Sequence, residues 1–418
     1  MQYPRLVQRL LGEAIRDSPV VLIHGPRQSG KTTLARTFLE PLGYTYYSFD
    51  TESMLNAASA DPEGFVADLP DKVILDEIQR VPQLFRSLKY QIDQNRQPGR
   101  FVLSGSANIL LLPQLSDSLA GRMEVLRLHP LSQTELQRST GGFIEHLFSS
   151  DRLDTRFLSS ERLGNALAQR IVAGGFPAAL ARTGEPRIQR WYSDYVLSVI
   201  QRDISELASI ASIDAIPRLF SIIASNTSRL LNVAELASPL SISRPTIKHY
   251  VSLLEAIFLV DILPPWHKNL AQRLVKTPRL FCTDTGIACA SLRQNTTSLR
   301  SMPELYGRMV ETHVIQELKR MSSGMDEAID ISYFRDKDGF EVDAILELQG
   351  RLVGVEVKSS STVTTSDFRG LRKLKSLAGS EFHRGIVLYD GAQALSFGDS
   401  MYAIPIGALS NSFPSSSR

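Results

Sequence analysis

The sequence predicts a multidomain protein of the α/β class, with a parallel sheet in its N-terminal third. Three observations lead there. The chain has 418 residues, enough for two or three domains at roughly 150 each. Short, nearly continuous apolar runs alternate with helical stretches over roughly the first 130 residues, the pattern of parallel strands covered on both faces. After a mainly helical middle, strand-like runs return late, in FEVDAILEL, LVGVEVK and RGIVLY.

Composition bounds the reading. Hydrophobic residues are 43% and charged residues 22%, which argues against wholesale disorder. The formal charge is +2, from 46 basic and 44 acidic residues, so any polyanion site must be a local patch. Cys282 and Cys289 are too few for a disulfide scaffold, lack zinc-site spacing and suit a reducing cytoplasm. No apolar run approaches the ~18 residues of a membrane helix, and the opening MQYPRLVQRL has no signal-peptide core. The expectation is a cytoplasmic protein with no membrane partner, neither secreted nor collagen-like.

The first strand is expected over 19–24, with others at 44–49, 72–75, 100–103 and 124–128. Residues 138–160 are rich in Ser, Gly and charge and read as a linker or exposed insertion. Residues 161–258 are mainly helical, interrupted at Gly174-Gly175-Phe176-Pro177. The expected division is 1–138 for the sheet domain, 139–213 for a linker and helical region, 214–290 for a winged-helix-like unit, 291–408 for a second α/β domain and 409–418 for a disordered tail.

Gly25-Pro26-Arg27-Gln28-Ser29-Gly30-Lys31-Thr32 fits G-x-x-x-x-G-K-[ST] between an expected strand and an expected helix. Glycines let the backbone curl so that N–H groups point at phosphate oxygens. The following helix adds its positive N-terminal dipole. Lys31 would reach the β- and γ-phosphates, Thr32 would ligate Mg²⁺, and Thr33 continues the lining. In Val73-Ile74-Leu75-Asp76-Glu77 an apolar strand ends in two carboxylates. Asp76 would hold Mg²⁺, and Glu77 would orient or deprotonate the attacking water. The strand in Phe101-Val102-Leu103-Ser104-Gly105-Ser106-Ala107-Asn108 is expected between the other two, with Ser104 or Ser106 at the γ-phosphate or the water and Asn108 as a weaker choice. Arg122 is the candidate for an arginine acting in trans, with Arg80 and Arg86 as rivals. The cofactors implied are ATP and Mg²⁺.

Together with these motifs, Tyr3-Pro4-Arg5, LAGR, HPLSQTE, GGFP, YVLSVIQRD and VEVKSS make the chain resemble the AAA-type ATPases with an N-terminal AAA domain and a C-terminal domain of the DUF4143 type. The stretches span nearly the whole sequence. The resemblance implies a P-loop core with an additional central strand and a homo-oligomer such as a hexameric ring. It supplies no physiological role.

In the middle, 219–226, 232–237 and 243–258 read as consecutive helices, with Asn232 and Ser243 as caps and Pro245 in a first turn. Arg244, Thr246, Lys248 and His249 cluster at the start of the third, as in a DNA-recognition helix. Strand-like 259–263 and 279–283 would form a wing. Between them, 266–279 carries Lys268, Arg273, Lys276 and Arg279 and no acid, which suits a phosphate backbone. Arg244, Lys248, Arg273 and Lys276 are the candidate DNA contacts.

Late in the chain Asp343, Glu356 and Lys358 form D-x₁₂-E-V-K on two strand-like runs joined by Gln349-Gly350. Asp343 and Glu356 would share a divalent metal at one end of a hairpin, with Glu311 as a further ligand and Lys358 beside them. This pattern resembles the PD-(D/E)xK, restriction-endonuclease-like nuclease fold, which keeps its shape as a binding module when catalysis is lost. The leading functional expectation is an ATPase that acts on DNA. The other is an ATP-dependent regulatory switch, working through protein partners, whose nuclease-like domain is not catalytic.

Overall fold

Helix α1 (Gln8–Asp17) precedes strand β1 (Val20–His24) in a computed structural model that describes residues 3–106, 119–149, 153–207, 213–269 and 277–413. Helix α2 (Lys31–Leu39), strand β2 (Thr45–Ser48), helices α3 (Glu52–Ala60) and α4 (Pro62–Ala67), strand β3 (Val73–Asp76), helix α5 (Leu84–Gln94) and strands β4 (Phe101–Gly105) and β5 (Met123–Arg127) follow. The five strands pair in parallel in the order β2-β3-β4-β1-β5. Strand β4 therefore lies between the phosphate-loop strand and the acidic strand, as the sequence suggested. Alternate side chains of β1 serve opposite faces. Val21 and Ile23 join a core with Leu11, Leu34 and Leu39 of α1 and α2, whereas Val20 and Leu22 join Ala58, Val66 and Leu88 of α3 to α5. Burial on both faces is why these strands read as unbroken apolar runs.

The middle is built from helices α6 (Gln133–Gln137), α7 (Phe143–Phe148), α8 (Asn165–Ala173), α9 (Pro177–Leu180), α10 (Glu185–Leu207), α11 (Ala215–Ser225), α12 (Val233–Ala237) and α13 (Arg244–Ala256). Asn232 caps α12 through the Glu235 amide at 3.3 Å, and Ser243 caps α13 through the Thr246 amide at 3.4 Å. An antiparallel ribbon follows, β6 (Val260–Leu263) with β7 (Arg279–Cys282). Helices α14 (Thr285–Ser291), α15 (Thr296–Arg300) and α16 (Pro303–Ser322) lead to a six-stranded mixed sheet of β8 (Asp330–Arg335), β9 (Glu341–Leu348), β10 (Arg351–Lys358), β11 (Phe382–Tyr389), β12 (Leu395–Ser396) and β13 (Met401–Pro405), with helix α17 (Arg369–Ala378) on one face. The other face of that sheet shares one core with the middle helices.

Two expectations give way. The stretch 138–160 is not an exposed insertion: Phe143, Ile144, Leu147, Phe148, Leu153 and Leu158 are buried in that shared core. Their spacing was hidden among Ser, Gly and charged neighbours. The tail expected to be disordered from 409 is packed as far as Phe413, whose ring meets Phe143 and whose amide donates to the Gly141 carbonyl at 3.0 Å. Cys282 and Cys289 are free thiols in the core. Among the described residues no helix is long and apolar enough to cross a membrane.

Candidate functional site

The loop after β1 is shaped by two glycines and an anchor. Gly25 has φ +153°, and a Cβ there would lie 2.1 Å from the Leu128 carbonyl oxygen, so only glycine lets the loop leave β1 this close to the chain after β5. Gly30, at φ +100°, turns the chain into α2. Arg5 clamps the outside: its Nη1 donates to the Ser29 carbonyl at 2.7 Å, its Nη2 to the His129 carbonyl at 2.6 Å and its Nε to Glu135 at 3.0 Å. Glu135 also closes the capping box of α6 through the Ser132 amide at 2.9 Å. The opening Tyr-Pro-Arg and the HPLSQTE stretch thus support the loop.

Inside the loop, Lys31 Nζ donates to the Gly25 and Pro26 carbonyls, each at 2.9 Å. Burial pushes its ammonium down to about 8, although Glu77 and Asp76 pull it upward. His24 is likewise depressed to about 3, by burial first and then by the charges of Arg127 and Lys31, and stays neutral at the loop. The Ser29 hydroxyl is buried with no hydrogen-bond partner among the described residues.

The end of β3 converges on the same point. Thr32 Oγ1 donates to Asp76 Oδ2 at 2.8 Å and Tyr46 OH donates to it at 2.7 Å. Ser104 Oγ donates to Asp76 Oδ1. Ser104, expected at the γ-phosphate or the water, is fully buried and instead orients the aspartate. Glu77 adopts φ +56°, an unusual conformation for a glutamate. Ser106 Oγ donates to Glu77 Oε2 at 2.8 Å, and Gln79 Nε2 donates to that oxygen too. Asn108 lies outside the described residues.

A cavity of about 800 Å³ opens over the loop, lined on one side by Arg27, Gln28, Gly30, Lys31, Thr32 and Thr33 with Asp76 and Glu77. Helix α10 forms the facing wall through Trp191, Asp194, Tyr195, Ser198, Val199 and Arg202. The helix is tied to the loop: Arg27 Nε donates to Asp203 Oδ1 at 2.7 Å and Oδ2 at 2.9 Å, and Tyr195 OH donates to the Arg27 carbonyl at 3.1 Å. Trp191 and Tyr195 stack at 5.1 Å, and Arg182 lies 5.5 Å over the Trp191 ring. At the other end Arg202 and Arg80 both reach Asp50 Oδ1, at 3.2 and 3.1 Å.

Arg122 lies across the sheet from the loop. Its carbonyl accepts from the Val20 amide at the start of β1, whereas the loop leaves the end of β1. Its guanidinium pairs with Asp93 at 2.6 and 3.0 Å. It cannot reach the cavity of its own chain. Arg86 is exposed on α5. Arg244, Lys248 and His249 are exposed on the first turns of α13. Arg273 and Lys276 lie outside the described residues.

The late carboxylates do come together. The hairpin of β9 and β10 pairs Ala344 with Val355, and the Val357 amide donates to Asp343 Oδ2 at 2.9 Å. Lys358 Nζ donates to Glu356 at 2.9 Å. Burial and then Asp343 push the Glu356 carboxyl up to about 8 and the Glu311 carboxyl well above its usual range. A second cation among these acids is Arg279, which bonds Glu311, Glu341 and Asp343. Among the described residues no group of three or more His, Cys, Asp or Glu side chains is arranged to hold a metal ion. The metal-ligand role expected for Glu311, Asp343 and Glu356 does not fit this arrangement, because a guanidinium fills the space between two of them.

Three segments of the chain match family models. Residues 17–137 match a family model described as an AAA domain, 164–298 one described as a domain of unknown function (DUF8612) and 306–409 one described as a domain of unknown function (DUF4143). The chain carries an AAA-type P-loop domain at its N-terminal end and a DUF4143 domain at its C-terminal end. An uncharacterized protein of Mycobacterium tuberculosis is 29% identical over 397 residues, covering 94% of this chain and 82% of its own. Another, from Methanocaldococcus jannaschii, is 21% identical over 419 residues, covering 96% and 90%. A solved Walker-type ATPase of Pyrococcus abyssi overlays 68% of this chain and 94% of its own at 16% identity, with a TM-score of 0.41. The AAA domain points to ATP binding and hydrolysis.

Sequence reasoning missed Tyr46, Gln79, Asp203 and the anchoring role of Arg5. Asp203 left a trace: it falls on the Tyr195–Val199 face of α10, one acid on an otherwise apolar stripe. Tyr46 and Gln79 left none, because their roles depend on neighbouring strands.

Proposed function

We propose that this chain binds ATP with Mg²⁺ in the cavity between the phosphate loop and α10, and hydrolyses it. The observation that carries this reading is the convergence of Lys31, Thr32, Asp76 and Glu77 on one cavity. The residues fit their ligands. The curled loop and the unpaired Ser29 hydroxyl suit phosphate oxygens, and the Thr32 hydroxyl beside the Asp76 carboxylate is a hard-oxygen set suited to Mg²⁺. Bound Mg²⁺ would neutralise phosphate charge. Lys31 would exchange its two loop carbonyls for phosphate oxygens. Ser104 and Tyr46 would hold Asp76 in position, and Ser106 and Gln79 would hold Glu77 ready to accept a proton from water. Lys31→Ala should abolish phosphate release; wild-type turnover in that variant would reject the site. Glu77→Gln should retain ATP without splitting it.

The reading extends to assembly and DNA. Arg122 would act on the nucleotide of a neighbouring copy in a homo-oligomer such as a hexameric ring. The exposed Arg244 and Lys248 support contact with DNA through α13. Lys248→Glu should weaken duplex binding at low salt, and ATPase stimulation by DNA would accompany binding. A second reading, an ATP-dependent regulatory switch acting on protein partners, is favoured by the ion-paired state of the late carboxylates. Nucleotide-dependent assembly with no response to DNA would select it.

A further inference from the structure

The acidic cluster of the C-terminal domain is served by a cation from outside that domain. Arg279 stands at the start of β7, in the ribbon after the middle helices. Its Nη1 donates to Glu311 Oε1 at 2.6 Å and to Asp343 Oδ1 at 3.1 Å, and its Nη2 donates to Glu341 Oε2 at 2.9 Å. Its side chain is 7% exposed. The guanidinium also lies 5.0 Å over the Tyr333 ring of β8. Backbone bonds fix the strand that delivers it, with the Ser228 amide on the Leu280 carbonyl at 2.8 Å and the Leu280 amide on the Arg229 carbonyl at 2.9 Å.

A planar fork directs each carboxylate oxygen along an N–H bond, whereas a divalent ion needs the oxygens to converge on one centre. The two cannot share Glu311 and Asp343, and their like charges would repel. Glu356, the remaining carboxylate of the nuclease-like pattern, is engaged by Lys358. We propose that Arg279 is a built-in cation that takes the place of a metal ion in this cluster and locks the middle ribbon to α16 and to the C-terminal sheet. The cluster is then an ionic joint between segments. This inference is independent of the ATP reading.

Mn²⁺ binding to the full chain, followed by electron paramagnetic resonance, tests it. The background is Asp76→Asn, so that the phosphate loop contributes no ion. Adding Asp343→Asn should leave Mn²⁺ binding unchanged while Arg279 is present. Arg279→Gln should melt lower, gain one Mn²⁺ site and be restabilised by Mn²⁺, and Asp343→Asn should then remove that site. Loss of a Mn²⁺ site on Asp343→Asn with Arg279 in place would overturn the proposal, as would Arg279→Gln with an unchanged melting temperature or no new site. Should Arg279→Gln not fold, Arg279→Lys decides. It keeps the charge without the fork, and should melt below wild type with no Mn²⁺ at the cluster; an unchanged melting temperature, or Mn²⁺ bound there, overturns the lock.

Discussion

Lys31 is costly to the fold and useful to the ligand. Holding its charge in a buried loop costs on the order of 3 kcal/mol, given a shift from 10.5 to about 8. Between about pH 8 and 10.5 the unfolded chain binds this proton more often than the folded one, so the residue's contribution to stability rises with pH across that window. Binding has the opposite sign. Phosphates favour the charged ammonium, so ATP affinity should fall as pH rises through about 8. Calorimetric titration at a series of pH values checks this; equal affinity at pH 7 and pH 9 would exclude Lys31 as a phosphate contact. Arg5 is the matching structural case. Its pair with Glu135 is nearly buried on both sides, and removing one partner strands the other. Arg5→Ala should lose about 3 kcal/mol in urea unfolding and lower ATP affinity, because the Ser29 carbonyl loses its anchor.

Helix α10 acts as a wall along the cavity. Trp191 and Arg202, both lining the cavity, are separated by about 16 Å of helix at 1.5 Å per residue. Trp191 is one of two tryptophans in the chain. ATP should change its emission, and the change should vanish in Trp191→Phe while binding persists; an unaltered spectrum at saturating ATP would remove the indole from the ligand's surroundings. Asp203 fixes the helix to the loop through Arg27. Asp203→Asn should weaken ATP binding about tenfold, as expected for loss of roughly 1.4 kcal/mol of positioning, with the secondary structure intact by circular dichroism. The motif GGFP needs its glycines for close packing against other segments. A Cβ on Gly175 would lie 2.5 Å from the Leu131 carbonyl oxygen, and one on Gly174 would lie 2.2 Å from Asp284.

For the whole molecule the decisive question is whether one copy completes another. Arg122 sits at the sheet end remote from its own loop, in an exposed pair with Asp93 that salt weakens and a phosphate can outcompete. Arg122→Ala should bind ATP normally and hydrolyse it about a thousandfold more slowly or worse. Mixing it with Lys31→Ala should restore activity, since each supplies what the other lacks. No recovery in particles shown by light scattering to be mixed would confine Arg122 to a structural role.

Local pattern determined much of this protein. The eight-residue phosphate loop, the acidic end of β3 and the late hairpin were legible, because each rests on a periodicity or on a turn chemistry confined to a few neighbours; of the strand order, only the place of β4 between β1 and β3 was read. The hairpin turn at Gln349 and Gly350 has positive φ at both residues, as a two-residue hairpin loop needs. Tertiary structure alone decided what lies between distant segments. Segment 143–148 proved to be core because other helices cover it. Ser104 serves Asp76 because parallel strands set their carboxyl ends side by side. Arg279, which read as part of a basic loop, is buried among acids more than thirty residues away, since Coulomb attraction and burial act on distance in space and leave no mark on spacing in the chain.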